Sequence, residues 1–222
     1  MAEIIVEHRV YRITGMTPML GTQPADPAIR QTYITSRAPS TDIINEENEN
    51  DYDLSDKGMT VFTRWHNNRN EKYRDCLCMQ GYQILGMIKE ALESLQTQTG
   101  IAQPRSKVDK YLFCEPRMIP IIRDGKPIFD EDEVCERPLR ATTMKGPRVS
   151  LASSEQVNDP WELTFELTLL PNRGTPKSKP LTWDDVETAL NYGAYRGLSQ
   201  WRNAGWGKYV WKEITDEREE AV

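Results

Sequence analysis

Apolar and polar positions change their period along this chain, and each change marks an element. The clearest alternation runs over 161–170. Trp161, Leu163, Phe165, Leu167 and Leu169 take one face, and Glu162, Thr164, Glu166 and Thr168 take the other. That is the two-residue period of a strand with one buried side. Residues 4–13 alternate less cleanly, but β-branched side chains dominate and Gly15 ends the run, so a strand is predicted there too. Over 73–95 the period becomes helical: Leu77, Ile84, Leu85, Ile88, Leu92 and Leu95 recur at three and four, with Lys89, Glu90 and Glu93 opposite. A second helix is predicted over 181–191. Thr182 suits its N-cap, Asp184 and Asp185 favour the positive end of its dipole, and Gly193 supplies a stop. Short extended pieces at 111–114 and 118–122 precede Asp124-Gly125, a hairpin turn signal, and 206–214 reads as the last strand.

In order, the strong elements are strand, helix, strands, strand, helix, strand. The fold class is therefore α+β, and the order is that of a βαββαβ split unit of the RRM/ferredoxin-like kind. One domain over 1–222 accommodates it, since this length supports a single well-buried core. Two stretches fall outside the unit. Residues 35–58 carry acids, Asn, Ser and Pro with few large apolar residues, and read as a flexible acidic insertion. Residues 137–151, broken by Gly146-Pro147, read as an extended basic arm between the middle strands.

Charge sharpens this picture. The net charge is −6, which argues against a protein that coats duplex DNA by charge alone. The acids crowd 42–56, 130–133 and 213–220, however. Between them Arg137, Arg140, Lys145 and Arg148 form a basic stretch without a carboxylate, and 193–212 holds Arg196, Arg202, Lys208 and Lys212, again with no acid. No apolar run reaches the length of a membrane span, and the charged N-terminus does not read as a signal peptide, so a cytoplasmic protein without membrane partners is expected. The four cysteines leave two readings, a zinc site or packed thiols. Cys76-x-Cys78 is not the usual knuckle spacing, and nothing of knuckle spacing surrounds Cys114 or Cys135, which favours thiols. No cofactor motif is present, so none is expected.

Several segments also resemble one family. Ile13-Thr14-Gly15-Met16-Thr17-Pro18-Met19-Leu20-Gly21 resembles the opening of the RAMP superfamily, the backbone and processing subunits of CRISPR effector complexes. The helix beginning Gly81-Tyr82-Gln83-Ile84-Leu85-Gly86 is similar to that family's first helix, and Arg148-Val149-Ser150-Leu151 with Trp161 to Leu167 to the strand pair after its thumb-like arm. Gly193-Ala194-Tyr195-Arg196-Gly197-Leu198-Ser199-Gln200-Trp201-Arg202-Asn203-Ala204-Gly205-Trp206-Gly207-Lys208 resembles its glycine-rich loop. Ser199-Gln200-Trp201 departs from the family pattern, and the arm lacks a cleavage aspartate. A bacteriophage member is the kind of sequence this most resembles.

The resemblance implies binding of RNA or single-stranded DNA, with oligomerisation along the strand. Glycine N–H groups at Gly193, Gly197, Gly205 and Gly207 would approach phosphates, Arg196, Arg202 and Lys208 would neutralise them, and Trp201 would stack a base. Two further readings remain open. One is a protein-interaction or structural module, such as a phage factor acting on a host nucleoprotein complex, which the acidic runs favour. The other is a metal-independent endoribonuclease with His66 as general acid or base and Tyr73 as its aid. Against the latter, His8 is the only other histidine.

Overall fold

The strand with the clearest alternation, β13 (Glu162–Leu169), lies inside the main sheet with all its odd-numbered apolar side chains buried. The first strand, β1 (Glu7–Gly15), pairs with it antiparallel, setting Tyr11 opposite Phe165 and Ile13 opposite Leu163. On its other side β1 receives β14 (Tyr209–Ile214), with Trp211 opposite Ile13 and Tyr209 opposite Gly15. β7 (Leu112–Glu115) adds to the far side of β13 through Leu112 opposite Leu169. The order across this sheet is β7, β13, β1, β14, every neighbour antiparallel. The computed structural model describes residues 6–25, 59–65, 71–143, 146–174 and 178–214, with the side chains of 139–150 outside that description. The predicted insertion at 35–58, His66 and Lys145 lie outside the described residues.

Helices cover one face of the sheet. α1 (Gly81–Ser94) buries Ile84, Ile88, Ala91 and Leu92. A helical turn, α2 (Gln96–Thr99), and α3 (Pro104–Tyr111) follow, and α3 opens with proline in its first turn, where a missing N–H costs nothing. α4 (Trp183–Arg196) buries Val186, Ala189 and Leu190 against the same core. Thr182 caps α4 as its sequence predicts, accepting from the Asp185 N–H at 3.4 Å while the Asp185 carboxylate accepts from the Thr182 N–H at 2.9 Å.

Two smaller sheets flank this layer. β11 (Glu133–Thr143) and β12 (Gly146–Val157) form a long antiparallel hairpin. Among the described residues only the inner part of that hairpin has other strands beside it: β2 (Met19–Leu20) and β4 (Met59–Val61) pair with β12, and β3 (Gln23–Pro24) pairs with β4. β6 (Leu77–Gln80) lies between β5 (Thr63–Arg64) and β8 (Met118–Pro120). Asp124-Gly125 closes a hairpin of β9 (Ile122–Arg123) and β10 (Lys126–Pro127), with φ of 52° and 72° at the turn residues.

Two expectations shift. The helix predicted from residue 73 begins at Gly81 instead, because Cys76, Leu77, Cys78 and Met79 are buried on both faces of a strand. A short apolar run buried on both sides has no period to betray it. Gly193, expected to stop the last helix, lies within α4, where an added Cβ would fall 2.5 Å from Met87 Sδ and 2.2 Å from the Tyr209 hydroxyl. It lets α4 approach α1 and β14 closely. Among the described residues no helix is long and apolar enough to cross a membrane.

The junction after β1 is held by one tryptophan. Trp161 is fully buried, and its indole N–H donates to the Thr17 carbonyl at 2.9 Å. A Cβ on Gly15 would sit 2.1 Å from that indole. Gly15→Ala should therefore lower the urea midpoint by an amount equivalent to about 1–3 kcal/mol with an unchanged slope; an unaltered midpoint would show that the indole can move aside.

Candidate nucleic-acid interface

The glycine-rich segment after α4 is a closed lobe on a pinched neck. Gly197 ends the helix with φ of 92°, and Gly207 has φ of 68°. The Leu198 N–H donates to the Gly207 carbonyl at 2.9 Å, and the Gly207 N–H to the Pro18 carbonyl at 2.8 Å. A Cβ at Gly197 would lie 2.2 Å from the Trp206 carbonyl oxygen, and one at Gly207 2.1 Å from that of Leu198. Both positions thus need a left-handed backbone and an absent side chain. Within the lobe Trp201 and Trp206 stack with ring centroids 5.8 Å apart, around a 3₁₀ turn at Arg202–Ala204.

The N–H groups of Gly197, Gly205 and Gly207 already have acceptors. The Gly197 N–H bonds the Gly193 carbonyl at 2.7 Å, and the Gly205 N–H bonds the Arg202 carbonyl at 2.9 Å. Two of the lobe's cations serve the fold as well. Arg196 Nε donates to one oxygen of Glu90 at 2.9 Å, and Arg202 reaches the other at 2.7 Å. Burial works against the charge on Glu90, but the hydrogen bonds and positive charges of Arg196 and Arg202 outweigh it and hold the carboxyl below its usual range. Lys208 is exposed at the start of the last strand, its N–H donating to the Thr17 hydroxyl at 2.8 Å. Tyr195, on α4 beside the lobe, is 84% exposed.

The lobe meets the base of the arm. Arg137 on β11 is 8% exposed and donates to Ser154 Oγ at 3.0 Å and to Gln200 Oε1 at 2.8 Å. Its guanidinium lies 5.0 Å from the Trp201 ring centroid, a cation–π contact that the 36% exposure of Trp201 leaves partly open to solvent. The Ser154 and Thr60 hydroxyls share a 2.7 Å hydrogen bond, which ties β4 to the same point. Arm and loop are separate segments in the sequence; the structure joins them through Arg137, Gln200 and Trp201. Farther out, Arg140 stands opposite Val149 and Ala141 opposite Arg148. From Pro138 to the turn, the hairpin pairs only with itself among the described residues. That stretch of six residues spans about 20 Å.

A second surface has no counterpart among the motifs of the sequence. The sheet face away from the helices carries a groove of about 530 Å³ lined by Arg12, Thr164, Glu162, Ile122, Trp65 and Tyr73. Trp65 and Tyr73 face each other at 6.0 Å. Tyr73, a catalytic candidate from the sequence, thus stands in an aromatic wall. The even positions of β1 and β13 held the signal, since they place Arg12, Glu162 and Thr164 on the face opposite the core. His8, also on that face, bonds Glu166 and Thr168 through Nδ1, each at 2.9 Å. The Cys76 and Cys78 sulfurs lie 3.7 Å apart, and the hydrogen bond to Cys76, then burial, pushes the Cys78 thiol up. Cys114 and Cys135 stand on other strands, and no cluster of three or more potential metal ligands occurs among the described residues.

No family model and no curated protein matches the chain. Among solved structures, a chain described as "Type IV-B CRISPR Complex" is similar at 8% sequence identity and a TM-score of 0.48, covering 95% of this chain and 92% of that one.

A carboxyl whose pKa is depressed in the fold contributes stability that is present above its unfolded pKa and lost as pH falls through the folded one. Glu90→Gln should lower stability near neutral pH by about 1–3 kcal/mol, because two largely buried guanidiniums lose their anion. It should also flatten the loss of stability below the ordinary glutamate range. Urea titrations across pH test both, and superimposable wild-type and variant profiles would remove Glu90 from this role.

Proposed function

We propose that this chain is a non-catalytic RAMP-like protein that binds RNA or single-stranded DNA through the outer part of its arm, with the glycine-rich lobe as the arm's support. The observation that carries the reading is the contact of Arg137 with Gln200 and Trp201, which fuses two acid-free segments into one surface. The sheet order β7, β13, β1, β14, with α1 between β1 and β7 and α4 between β13 and β14, supports reading the core as a split βαββαβ unit of the RRM/ferredoxin-like kind. The motif resemblance to RAMP proteins points the same way, and extends to an origin in a bacteriophage and to a site of action in the cytoplasm of its host.

In this reading the cations divide the work. Arg137, Arg196 and Arg202 are engaged in holding lobe to arm and lobe to helix. Arg140, Lys145 and Arg148 on the arm, with Lys208 at the lobe's edge, are then the phosphate-neutralising set. An overall charge of −6 is compatible with this, since single strands need only a local basic track. Nothing pairs with the outer edge of β14 among the described residues, which leaves an edge along which copies can assemble on a strand.

Fluorescence anisotropy with a labelled single strand tests the reading. Wild-type protein should bind at low salt and weaken steeply between about 50 mM and 200 mM. The variant Arg140→Glu/Lys145→Glu/Arg148→Glu should lose at least about tenfold in affinity and reduce the slope of log K against log salt by about 2, with an unchanged thermal melt. Arg196→Glu/Arg202→Glu should lower the melting temperature instead. Absence of binding by the wild type, or full binding by the arm variant, overturns the proposal. In the first case, association with another protein without nucleic acid becomes the better reading.

A further inference from the structure

The acidic run at 130–133 has no part in the arm reading, yet it leads straight into a strand edge. β11 pairs with β12 and with no other strand among the described residues, and β14 in the same way pairs only with β1. The side chains along both edges are open to solvent. Val134 on β11 is 45% exposed and Val210 on β14 is 52% exposed, and Glu133, Glu136 and Lys212 are exposed beside them. These three charges have no ion-pair partner among the described residues. Glu213, the one acid of β14, is bound to Arg9 at 3.4 Å, and Arg137 is turned inward. Charges on an edge strand discourage pairing with an identical edge. Here the two edges carry opposite signs.

The backbone sets which residues can meet. In an antiparallel ladder, alternate residues turn their N–H and C=O to the same neighbour. The Met16 N–H donates to the Lys208 carbonyl at 2.7 Å, so the even residues of β14 face β1, and Tyr209 and Trp211 present N–H and C=O to the outer edge. On β12 the Glu155 carbonyl accepts from the Gly21 N–H at 2.8 Å and so faces β2. Val134, opposite Glu155, and Glu136 therefore turn their N–H and C=O away from β12, to the outer edge of β11.

We propose that the β11 edge of one copy receives the β14 edge of the next, antiparallel, with Trp211 opposite Val134 and Tyr209 opposite Glu136 as the hydrogen-bonded pairs. Matching the outward backbone groups in this way sets Val210 against Cys135 and Lys212 against Glu133 on one face, an apolar pair beside an ion pair. A slip of two residues sets Lys212 against Cys135, or against Glu131, whose carboxylate already meets Arg64. Like edges are poor partners: two β11 edges gather Glu133 and Glu136 of both copies, and two β14 edges gather Lys208 and Lys212. The contact joins two different surfaces, so each added copy leaves one edge of each kind open, and the contact repeats into a row. It deepens the assembly part of the strand reading, on which the use of the β14 edge rests, and needs neither nucleic acid nor the cations of the arm.

Sedimentation velocity of the full chain without nucleic acid tests the contact. Mass should rise with protein concentration and fall again at high salt, which screens an exposed ion pair. Lys212→Glu and Glu133→Lys, both at exposed positions, should each weaken association at least about fivefold with an unchanged thermal melt. Mixing the two variants should restore it, because the reversed charges meet. Val210→Cys treated with glutathione disulfide should give cross-linked chains through the native Cys135, and adding Cys135→Ser should abolish them. A wild type that stays monomeric at every concentration overturns the proposal. So does a Glu133→Lys variant that associates as the wild type does, which assigns the contact to another edge. Strand binding by a monomeric protein removes the edge contact and leaves the arm reading; self-association without strand binding leaves the edge contact and removes the arm reading.

Discussion

One carboxylate ties the glycine-rich lobe to the helical layer. Glu90, on the outer side of α1, receives the guanidiniums of Arg196 and Arg202, one from the last residue of α4 and one from the lobe beyond it. Two cations on the two oxygens of one partly desolvated anion form charge-assisted contacts that fix the carboxylate from both sides. With the lobe so held, Gln200 and Trp201 are presented to the arm, and Arg137 has something to lean on. Remove the carboxylate, and the lobe retains its pinched neck but loses its bearing relative to the helix.

The arm therefore has two mechanical regimes. At its base it is a member of a sheet, paired with β2 and β4 and anchored by the Arg137, Ser154 and Thr60 cluster. Beyond Pro138 it is a two-stranded ribbon that pairs only with itself among the described residues. Such ribbons are marginal alone and become ordered against a partner. A stiff root with a compliant end suits a surface that must follow an irregular polymer, because affinity is gained by adapting the end without paying to reorganise the root.

How much of this was legible beforehand depended on whether the deciding contacts were local. The strand over 161–170 showed itself because its neighbours on both sides bury the same alternate residues, and the Thr182 cap because its partner Asp185 is three positions away. Asp124-Gly125 marked its turn for the same local reason. The strand at Leu77–Gln80 looks in sequence like the start of a helix, since burial on both faces erases its period. Of the lobe, glycine spacing marked the tight turn. Its destinations could not be read, because Pro18, Leu20 and Glu90 come from more than a hundred residues earlier in the chain. The same distance hid the groove: Trp65 and Tyr73 meet Arg12 and Glu162 only through the tertiary fold.

The position of β1 sets a timetable. It is the first strand described, yet its partners are β13 and β14, so Glu7 waits for Leu169 and Gly15 for Tyr209. At about 5–20 residues per second of synthesis, that wait lasts roughly 10–40 s. During it the buried edge of β1, with Tyr11 and Ile13, has neither neighbour. The nascent chain thus passes through a prolonged stage in which an apolar strand stands without its partners, a stage at which chaperones, or a second nascent copy, have time to act before the sheet is completed.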